Sequence, residues 1–316
     1  MENSPRGRGA ERTGSLTREP MPQVSVIIPM YNSAATIARA IESVLAQTAG
    51  EVEIVCVDDG STDRTTAIAH GYGEHVRVLT QSNRGPSAAR NAGARASSGE
   101  LILFLDADDL LRPAMLARCA GELRANHDCV LAYTNAEIVD DCGRVLRASM
   151  VSGARAYPPA MEELLAQIWP IVPSTAVIRR SAFDAAGGFD ETLRSCEDIF
   201  FWLLAREQGR FIYIAEVLAA KTEDRLFPKV LERDAGARQF ARLVRERYGP
   251  RGAGLLREFS RMKARLLEQC GAEAIRAGNS RDARRCFAHA IGYRPSRLVN
   301  YVRVLKTFGA NAGVQK

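Results

Sequence analysis

Glu100-Leu-Ile-Leu-Phe-Leu-Asp-Ala-Asp-Asp109 joins an uninterrupted apolar run to three carboxylates, Asp106, Asp108 and Asp109. An apolar run of this length predicts a β-strand that is buried on both faces. In open α/β sheets, ligands bind just beyond the carboxyl ends of the strands, which is where these acids stand. Because clustered carboxylates repel one another, we expect a divalent cation, Mn²⁺ or Mg²⁺, with a bound diphosphate. The alternative is a solvated acidic turn that caps the following helix.

Earlier segments predict further strands of the same kind. Val24 to Ile28 and Glu53 to Val57 are short apolar runs, and Val76 to Leu79 is a third. Helices predicted from Ala34 to Gln47 and from Ser87 to Ala96 separate these strands. This alternation of strands and helices predicts an α/β fold with a mostly parallel, Rossmann-like sheet and right-handed crossovers.

Three of the predicted strands end in polar residues that should meet at one edge of the sheet. Tyr31 and Asn32 follow the first strand, and Asp58 and Asp59 follow the second. The acidic cluster after residue 105 follows the fourth. This convergence predicts a nucleotide pocket. Neither G-x-G-x-x-G nor G-x-x-x-x-G-K-[ST] is present, which argues against a dinucleotide-dependent dehydrogenase and a P-loop NTPase.

Composition restricts the class of protein further. The chain has 316 residues, of which 46% are hydrophobic, and this is enough for a sizeable core in one or two domains. Residues 1–20 are polar and lack the apolar stretch of a secretory signal, so they predict a disordered leader. Seven cysteines without metal-binding spacing, and no apolar run of membrane-spanning length, predict a cytoplasmic protein.

A series of motifs carries a resemblance to a known family. In chain order they are Val24-Ser-Val-Ile-Ile-Pro-Met-Tyr-Asn32, Val57-Asp-Asp-Gly-Ser-Thr-Asp63, Asn83-Arg-Gly-Pro-Ser-Ala-Ala-Arg-Asn-Ala-Gly93, Gly99-Glu100 and Phe104-Leu-Asp-Ala-Asp-Asp109. This series resembles the family 2 glycosyltransferases over residues 22–225. The resemblance implies the GT-A fold and an inverting, metal-dependent enzyme that uses a nucleotide-diphosphate sugar. Uridine is the favoured base, and thymidine stays open.

The resemblance also implies roles for individual residues. It places the nucleotide sugar against Pro29, Tyr31, Asn32, Asp59, Arg84, Arg90, Asn91, Asp106 and Ala107. Asp59 would accept the uracil N–H, and a carboxylate is suited to this because it only accepts. Asp108 would hold the metal, with Asp109 as a second ligand or a helix cap. The Glu197–Asp198 pair would supply the general base, for which Asp198 is favoured.

Several of these assignments have structural alternatives. Tyr31 is equally consistent with an ordinary loop tyrosine. Arg90 could form a structural ion pair with Asp106 or Asp108. Ser195 and Asp198 match a capping arrangement at a helix start, which would orient the carboxylate without excluding catalysis.

Domain organisation follows from the same evidence. The predicted catalytic domain spans residues 21–228, with a nucleotide-binding half at 21–110 and an acceptor half at 111–228. An all-α extension at 229–316 carries a net charge of +13, against −7 for the rest of the chain. Residues 268–290 predict a tetratricopeptide-like helix pair. Such a pair cannot bury its own apolar face, so it should pack on the catalytic domain or on a partner.

The basic charge of the extension has three explanations: a solvated helical surface, docking on an anionic bilayer, or binding to nucleic acid. Because the extension lacks aromatic residues interleaved with the basic ones, nucleic acid is not expected. Docking on a bilayer would suit a lipid-linked acceptor and would make the protein peripheral on the inner face of the cell membrane.

The sequence therefore predicts a glycosyltransferase that adds one sugar at a time to a glycan or lipid-linked acceptor in surface polysaccharide synthesis. One alternative is a nucleotidyltransferase of related α/β fold, although the expected Gly-rich, Lys-containing loop is absent after the first strand. The other is a non-catalytic sugar-binding or scaffold protein, against which the intact acidic residues argue.

Overall fold

A computed structural model describes residues 24–140, 142–150, 161–166, 171–223 and 234–309. The predicted leader at residues 1–20 lies outside these ranges. None of the helices in the described ranges combines the length and the apolar character needed to cross a bilayer.

The first part of the chain alternates strands and helices as predicted. Its elements are β1 (Val24–Met30), α1 (Ile37–Leu45), β2 (Val52–Asp58), α2 (Thr65–His70), β3 (Arg77–Thr80), α3 (Pro86–Ala96) and β4 (Leu101–Phe104). β1 pairs in parallel with both β2 and β4, and β2 pairs in parallel with β3. The predicted parallel α/β core is therefore confirmed.

The second part completes a mixed sheet. Its elements are β5 (Leu110–Leu111), α4 (Met115–Ala125), β6 (Cys129–Val139), β7 (Val145–Arg147), α5 (Met161–Ala166), β8 (Ala176–Arg179), α6 (Arg180–Ala186), α7 (Glu197–Gln208) and β9 (Arg210–Thr222). The strand order is β3-β2-β1-β4-β8-β6-β9-β5, with β7 beside β6. β8 runs antiparallel to β4 and β6. A 3₁₀ turn at Pro173–Thr175 leads directly into β8.

Apolar residues cover both faces of the sheet, as expected for continuous apolar strands. Ile41 of α1 and Leu116 of α4 belong to the core on one face. Ala89 of α3 and Phe201 of α7 belong to the core on the other. Gly93 lets α3 approach β1 closely, because a Cβ at this position would lie 2.3 Å from Ile27 Cγ2.

The C-terminal extension is helical, as predicted. It comprises α8 (Asp234–Arg276), which bends at Gly249-Pro250, followed by α9 (Ser280–Tyr293) and α10 (Leu298–Gly309). Phe240 of α8 packs edge-on against Phe200 of α7, with ring centres 6.2 Å apart. The Asn279 side chain caps α9 by accepting the backbone N–H of Asp282. The end of α8 and helix α9 lie where the helix pair at residues 268–290 was predicted, and α8 packs on the α/β part of the chain.

Candidate active site

The carboxyl ends of β1, β2 and β4 open into a cleft of about 700 Å³. Its lining includes Pro29, Tyr31, Asn32, Asp59, Arg90, Asp106, Ala107 and Asp108. The structure therefore brings together most of the residues that the sequence assigned to the donor site. Arg84, Asn91 and Asp109 are not part of the lining.

Asp59 is held in place by the chain that follows β3. Its Oδ1 accepts hydrogen bonds from the Gln81 side chain and the Arg84 backbone N–H, both at 2.8 Å. Its Oδ2 accepts the Gly85 backbone N–H at 2.8 Å. A carboxylate oxygen has two lone pairs, so Oδ2 has capacity for one further donor. Asp58 has a different task, because its side chain accepts the backbone N–H of Ser61 and supports the turn.

The loop after β1 is tied to the loop after β2. Asn32 has a left-handed backbone, with φ of 49°, which the short polar Asn side chain tolerates. Its Oδ1 accepts the backbone N–H of Thr62 at 2.8 Å, and its own N–H donates to the Ser61 hydroxyl. Asn32 therefore shapes the cleft wall through these bonds. Tyr31 beside it is 50% exposed, so its ring is accessible to a ligand.

Arg90 joins two acidic groups from distant parts of the chain. Nη2 lies 2.8 Å from Asp106 Oδ1, and Nη1 lies 3.3 Å from Glu197 Oε1. The guanidinium also stacks over Phe189, 5.2 Å from the ring centre. Burial alone would lower the pKa of Arg90, but the Asp106 and Glu197 carboxylates outweigh it and raise the pKa. The ion pair with Asp106 that the sequence allowed is present, and the contact with Glu197 is additional.

Asp109 is fully buried behind the cleft. Its carboxylate accepts hydrogen bonds from the Ser174 hydroxyl at 2.6 Å and from the Thr222 backbone N–H at 2.9 Å. Burial raises the pKa of Asp109 to about 7, and the nearby Lys221 ammonium opposes that shift. This placement argues against Asp109 as a metal ligand and favours a role in fixing the strand ends.

Lys221 is a cleft residue that the sequence analysis missed. It stands near the end of β9, lines the cleft, and places Nζ 3.6 Å from Asp109 Oδ2. Its side chain is only 11% exposed. The one available signal was a lysine directly after the apolar residues Val217-Leu-Ala-Ala220. Without the pairing of β9, that pattern cannot be distinguished from an ordinary strand end.

Asp106 and Asp108 line the cleft, and hard cations prefer oxygen ligands such as the carboxylates of these residues. Because Arg90 already binds one Asp106 oxygen, the two residues supply an incomplete ligand set. Phosphate oxygens and water commonly complete such a set around Mg²⁺. Within the described ranges, no three His, Cys, Asp or Glu side chains form a ready metal site. The residues therefore fit a cation that binds together with a nucleotide diphosphate.

Asn91 and Arg84 connect α3 and its preceding loop to the segment after α6. Asn91 donates to the Phe189 carbonyl at 2.8 Å and accepts the Phe189 N–H at 2.9 Å. A Cβ at Gly188 would lie 2.7 Å from Asn91 Oδ1, so glycine makes this approach feasible. Arg84 reaches Glu191 at 2.6 Å. Both side chains bond the segment at residues 189–191, and their predicted contact with the donor stays a prediction.

Asp198 lies in the first turn of α7, next to Glu197. The N-cap position is Cys196, with φ of 63° and no side-chain cap bond, so Ser195 does not occupy the N-cap position that the capping alternative gave it. Protein surrounds the Asp198 carboxyl although the residue keeps some solvent contact. This burial raises the pKa of Asp198 to about 7, and the like charge of Glu197 adds to the shift. A carboxylate with such a pKa is suited to take up a proton near neutral pH.

The sheet order, the cleft at the strand ends and the acidic pair on α7 define a glycosyltransferase fold of the GT-A type. Residues 25–187 match the model of Glycosyl transferase family 2, and the chain belongs to that family. The crystal structure of S. aureus TarS in complex with UDP-GlcNAc aligns with a TM-score of 0.64 at 20% identity. The alignment covers 90% of this chain and 89% of that one, so the fold is shared across the helical extension as well.

Relatives by sequence include proteins of polysaccharide synthesis. Chondroitin synthase of Escherichia coli is 32% identical over 66% of this chain and 30% of its own length. EpsJ of Bacillus subtilis, an uncharacterized glycosyltransferase, is 34% identical over 63% of this chain and 60% of its own. The succinoglycan biosynthesis protein ExoO of Rhizobium meliloti is 43% identical over 40% of this chain and 37% of its own. This chain thus spans only part of each of these relatives.

Proposed function

We propose that the protein is an inverting glycosyltransferase that moves one sugar from a nucleotide-diphosphate sugar to a hydroxyl group of a glycan or lipid-linked acceptor. The observation that carries this proposal is the Arg90 junction, which joins Asp106 at the cleft to Glu197 beside Asp198. A donor bound in the cleft would therefore have its reactive end near a carboxylate that titrates around neutrality. Relatives in polysaccharide synthesis favour a surface glycan as the product.

The nucleotide base would be recognised by Asp59. The fixed Asp59 carboxylate has capacity for one more donor, and uracil offers its N3–H. Thymine offers the same group, so a thymidine donor satisfies this contact equally. The UDP-GlcNAc bound to TarS, which has the same fold, favours uridine. The exposed ring of Tyr31 at the cleft could pack against the base.

The diphosphate would lie at the strand ends, where a cation held by the acidic residues and the Lys221 ammonium would supply positive charge. Asp108, with the second oxygen of Asp106, would hold Mn²⁺ or Mg²⁺, which when bound would neutralise charge on the departing diphosphate. Lys221 adds a fixed positive charge to the same wall of the cleft. Electrostatic stabilisation of a leaving group is strong where protein excludes water, and Lys221 is largely shielded from solvent.

Asp198 would act as the general base. The acceptor hydroxyl oxygen forms a bond to the anomeric carbon while the bond from that carbon to the diphosphate oxygen breaks. Asp198 takes the hydroxyl proton, and the nucleoside diphosphate leaves with the electron pair. Attack from the side opposite the leaving group inverts the anomeric configuration. Such base catalysis accelerates reactions roughly 10²–10⁴-fold.

A panel of nucleotide-diphosphate sugars with Mn²⁺ tests the proposal. Release of nucleoside diphosphate from one donor, stimulated by an acceptor glycan and abolished by a chelator, is the expected result. Release that continues at the same rate in the presence of the chelator would contradict the proposed cation. No release from any donor would contradict the transfer activity.

We further propose that the protein works in the cytoplasm, peripherally on the membrane that carries a lipid-linked acceptor.

A further inference from the structure

The last helix, α10, exposes an apolar stripe. Its members follow the i, i+3, i+4, i+7 spacing of one helix face: Leu298, Tyr301, Val302 and Leu305, which are 74%, 42%, 48% and 69% exposed. We call these four residues the α10 stripe. Single exposed apolar side chains are ordinary on protein surfaces, but a contiguous apolar face marks an interaction site.

The opposite face of α10 is anchored, which fixes the stripe outward. Asn300 is fully buried and donates to Glu268 Oε1 at 2.9 Å. Arg303 stacks over Phe287, with its guanidinium carbon 5.5 Å from the ring centre. Thr307 is also buried. Rotation of α10 to hide the stripe would break these contacts, so its exposure is built into the fold.

The segment that carries the stripe is basic and contains no acid. After Asp282 the sequence has seven Lys or Arg residues and no Asp or Glu. Lys306, one residue beyond Leu305, is exposed. Glu268 of α8 faces this helix and pairs with Arg297 at 3.1 Å and with Arg303 at 3.5 Å, so one acid meets two bases and the surroundings stay net positive. A helix with an apolar face and net basic surroundings matches the interface of an anionic bilayer, where acyl chains meet phosphate groups.

A second copy of the chain suits the stripe less well. Helix α10 has 12 residues and is therefore about 18 Å long. A stable protein interface buries roughly 800 Å² on each partner, which is more than four side chains on so short a helix provide. Pairing α10 with itself would also bring two basic segments together, and like charges would oppose it.

We propose that the α10 stripe inserts into the headgroup region of an anionic lipid bilayer and docks the protein there. Acyl chains cover the four apolar side chains, and lipid phosphates neutralise the basic residues around them. This inference specifies a surface for the membrane location proposed above, and it does not rest on the transfer chemistry.

Vesicle flotation of the full chain at low salt, without any donor, tests the proposal. The vesicles contain phosphatidylcholine alone or phosphatidylcholine with phosphatidylglycerol. The stripe variant is Leu298→Gln with Leu305→Gln. The matched control is Leu45→Gln with Leu146→Gln, which changes two leucines that are 46% and 52% exposed away from α10.

The unaltered protein and the control should float with the anionic vesicles and not with the neutral ones. The affinity of the stripe variant for the anionic vesicles should fall by at least roughly tenfold, because two apolar anchors are lost. Equal binding by the stripe variant, or no flotation of the unaltered protein, would overturn the proposal. A dimer that the stripe variant abolishes, without any vesicle binding, would overturn it in favour of a second copy.

Failure of docking and failure of catalysis can be told apart. Asp198→Asn should float like the unaltered protein although its transfer activity is lost. Loss of flotation in Asp198→Asn would show that membrane binding depends on the catalytic half and would contradict docking through α10.

Discussion

Arg90 and Asp106 form an ion pair in which guanidinium Nη2 lies 2.8 Å from carboxylate Oδ1, at the edge where β4 ends. The arginine side chain is only 6% exposed, and its other terminal nitrogen reaches Glu197 at the start of α7. The buried Arg90 guanidinium therefore fixes the start of α7 relative to the strand ends.

Loss of the Arg90 guanidinium should destabilise the fold. Arg90→Gln leaves the Asp106 and Glu197 carboxylates without their shared partner, and breaking a buried pair typically costs about 3 kcal/mol. Urea unfolding should show a free energy of unfolding lower by about that amount. Arg144→Gln, which removes an exposed pair with Asp140, is the control and should leave the midpoint unchanged. Equal midpoints for both variants would contradict a structural role for Arg90.

Close packing of α3 on β1 predicts opposite effects for two glycines. Gly93→Ala places a Cβ against Ile27 and should lower the free energy of unfolding by about 1–3 kcal/mol through overpacking. Gly121→Ala lies within α4 with nothing inside 4 Å of the new Cβ, so it should raise stability by about 0.5–1 kcal/mol. Denaturant titration distinguishes the two variants. A change of the same sign in the free energy of unfolding of both would refute the packing argument.

The parallel core could be predicted because each of its strands is a continuous apolar run that ends in polar residues. Strand burial and the convergence of the strand ends follow from that pattern alone. The long strands β6 and β9 were not predicted. The second half of β6 contains the polar sequence Thr134-Asn-Ala-Glu137, which is typical of a loop until its pairing with β9 is known.

The side-chain contacts between the two halves could also not be predicted from the sequence. The motif that contains Asn91 and Arg84 implies donor contacts, which stay a prediction. It gave no sign that their side chains bond Phe189 and Glu191, about a hundred residues further along the chain. Lys221 joins the cleft only because β9 pairs with β6 and β5. Such contacts depend on tertiary placement, which local spacing does not encode.

Base discrimination should depend on Asp59. Uracil presents N3–H to a carboxylate, whereas cytosine presents an acceptor at the same place, so UDP should bind more tightly than CDP. Asp59→Asn should weaken UDP binding about tenfold to hundredfold in calorimetry, because a charge-assisted hydrogen bond is lost. Asp63→Asn, which changes a turn residue bonded to Thr65, should bind UDP normally. Equal affinity of the unaltered protein for UDP and CDP would contradict this role.

Diphosphate binding should depend on Lys221. Lys221→Met keeps the length of the side chain and removes the charge, so UDP affinity should fall about tenfold while uridine affinity stays the same. Competition experiments by ligand-observed NMR measure both nucleotides under one set of conditions. A similar loss for uridine and UDP would show that Lys221 acts only by supporting Asp109.

The most direct test of the central claim is the rate of nucleoside diphosphate release, measured from about pH 5 to pH 9 with the preferred donor and acceptor. Because the base must be deprotonated and the pKa of Asp198 is raised to about 7, the rate should fall as the pH drops below about 7. Asp198→Asn should lose roughly 10²–10⁴ in rate while binding UDP normally. An unchanged rate for Asp198→Asn, or a profile without an acidic limb, would contradict the account.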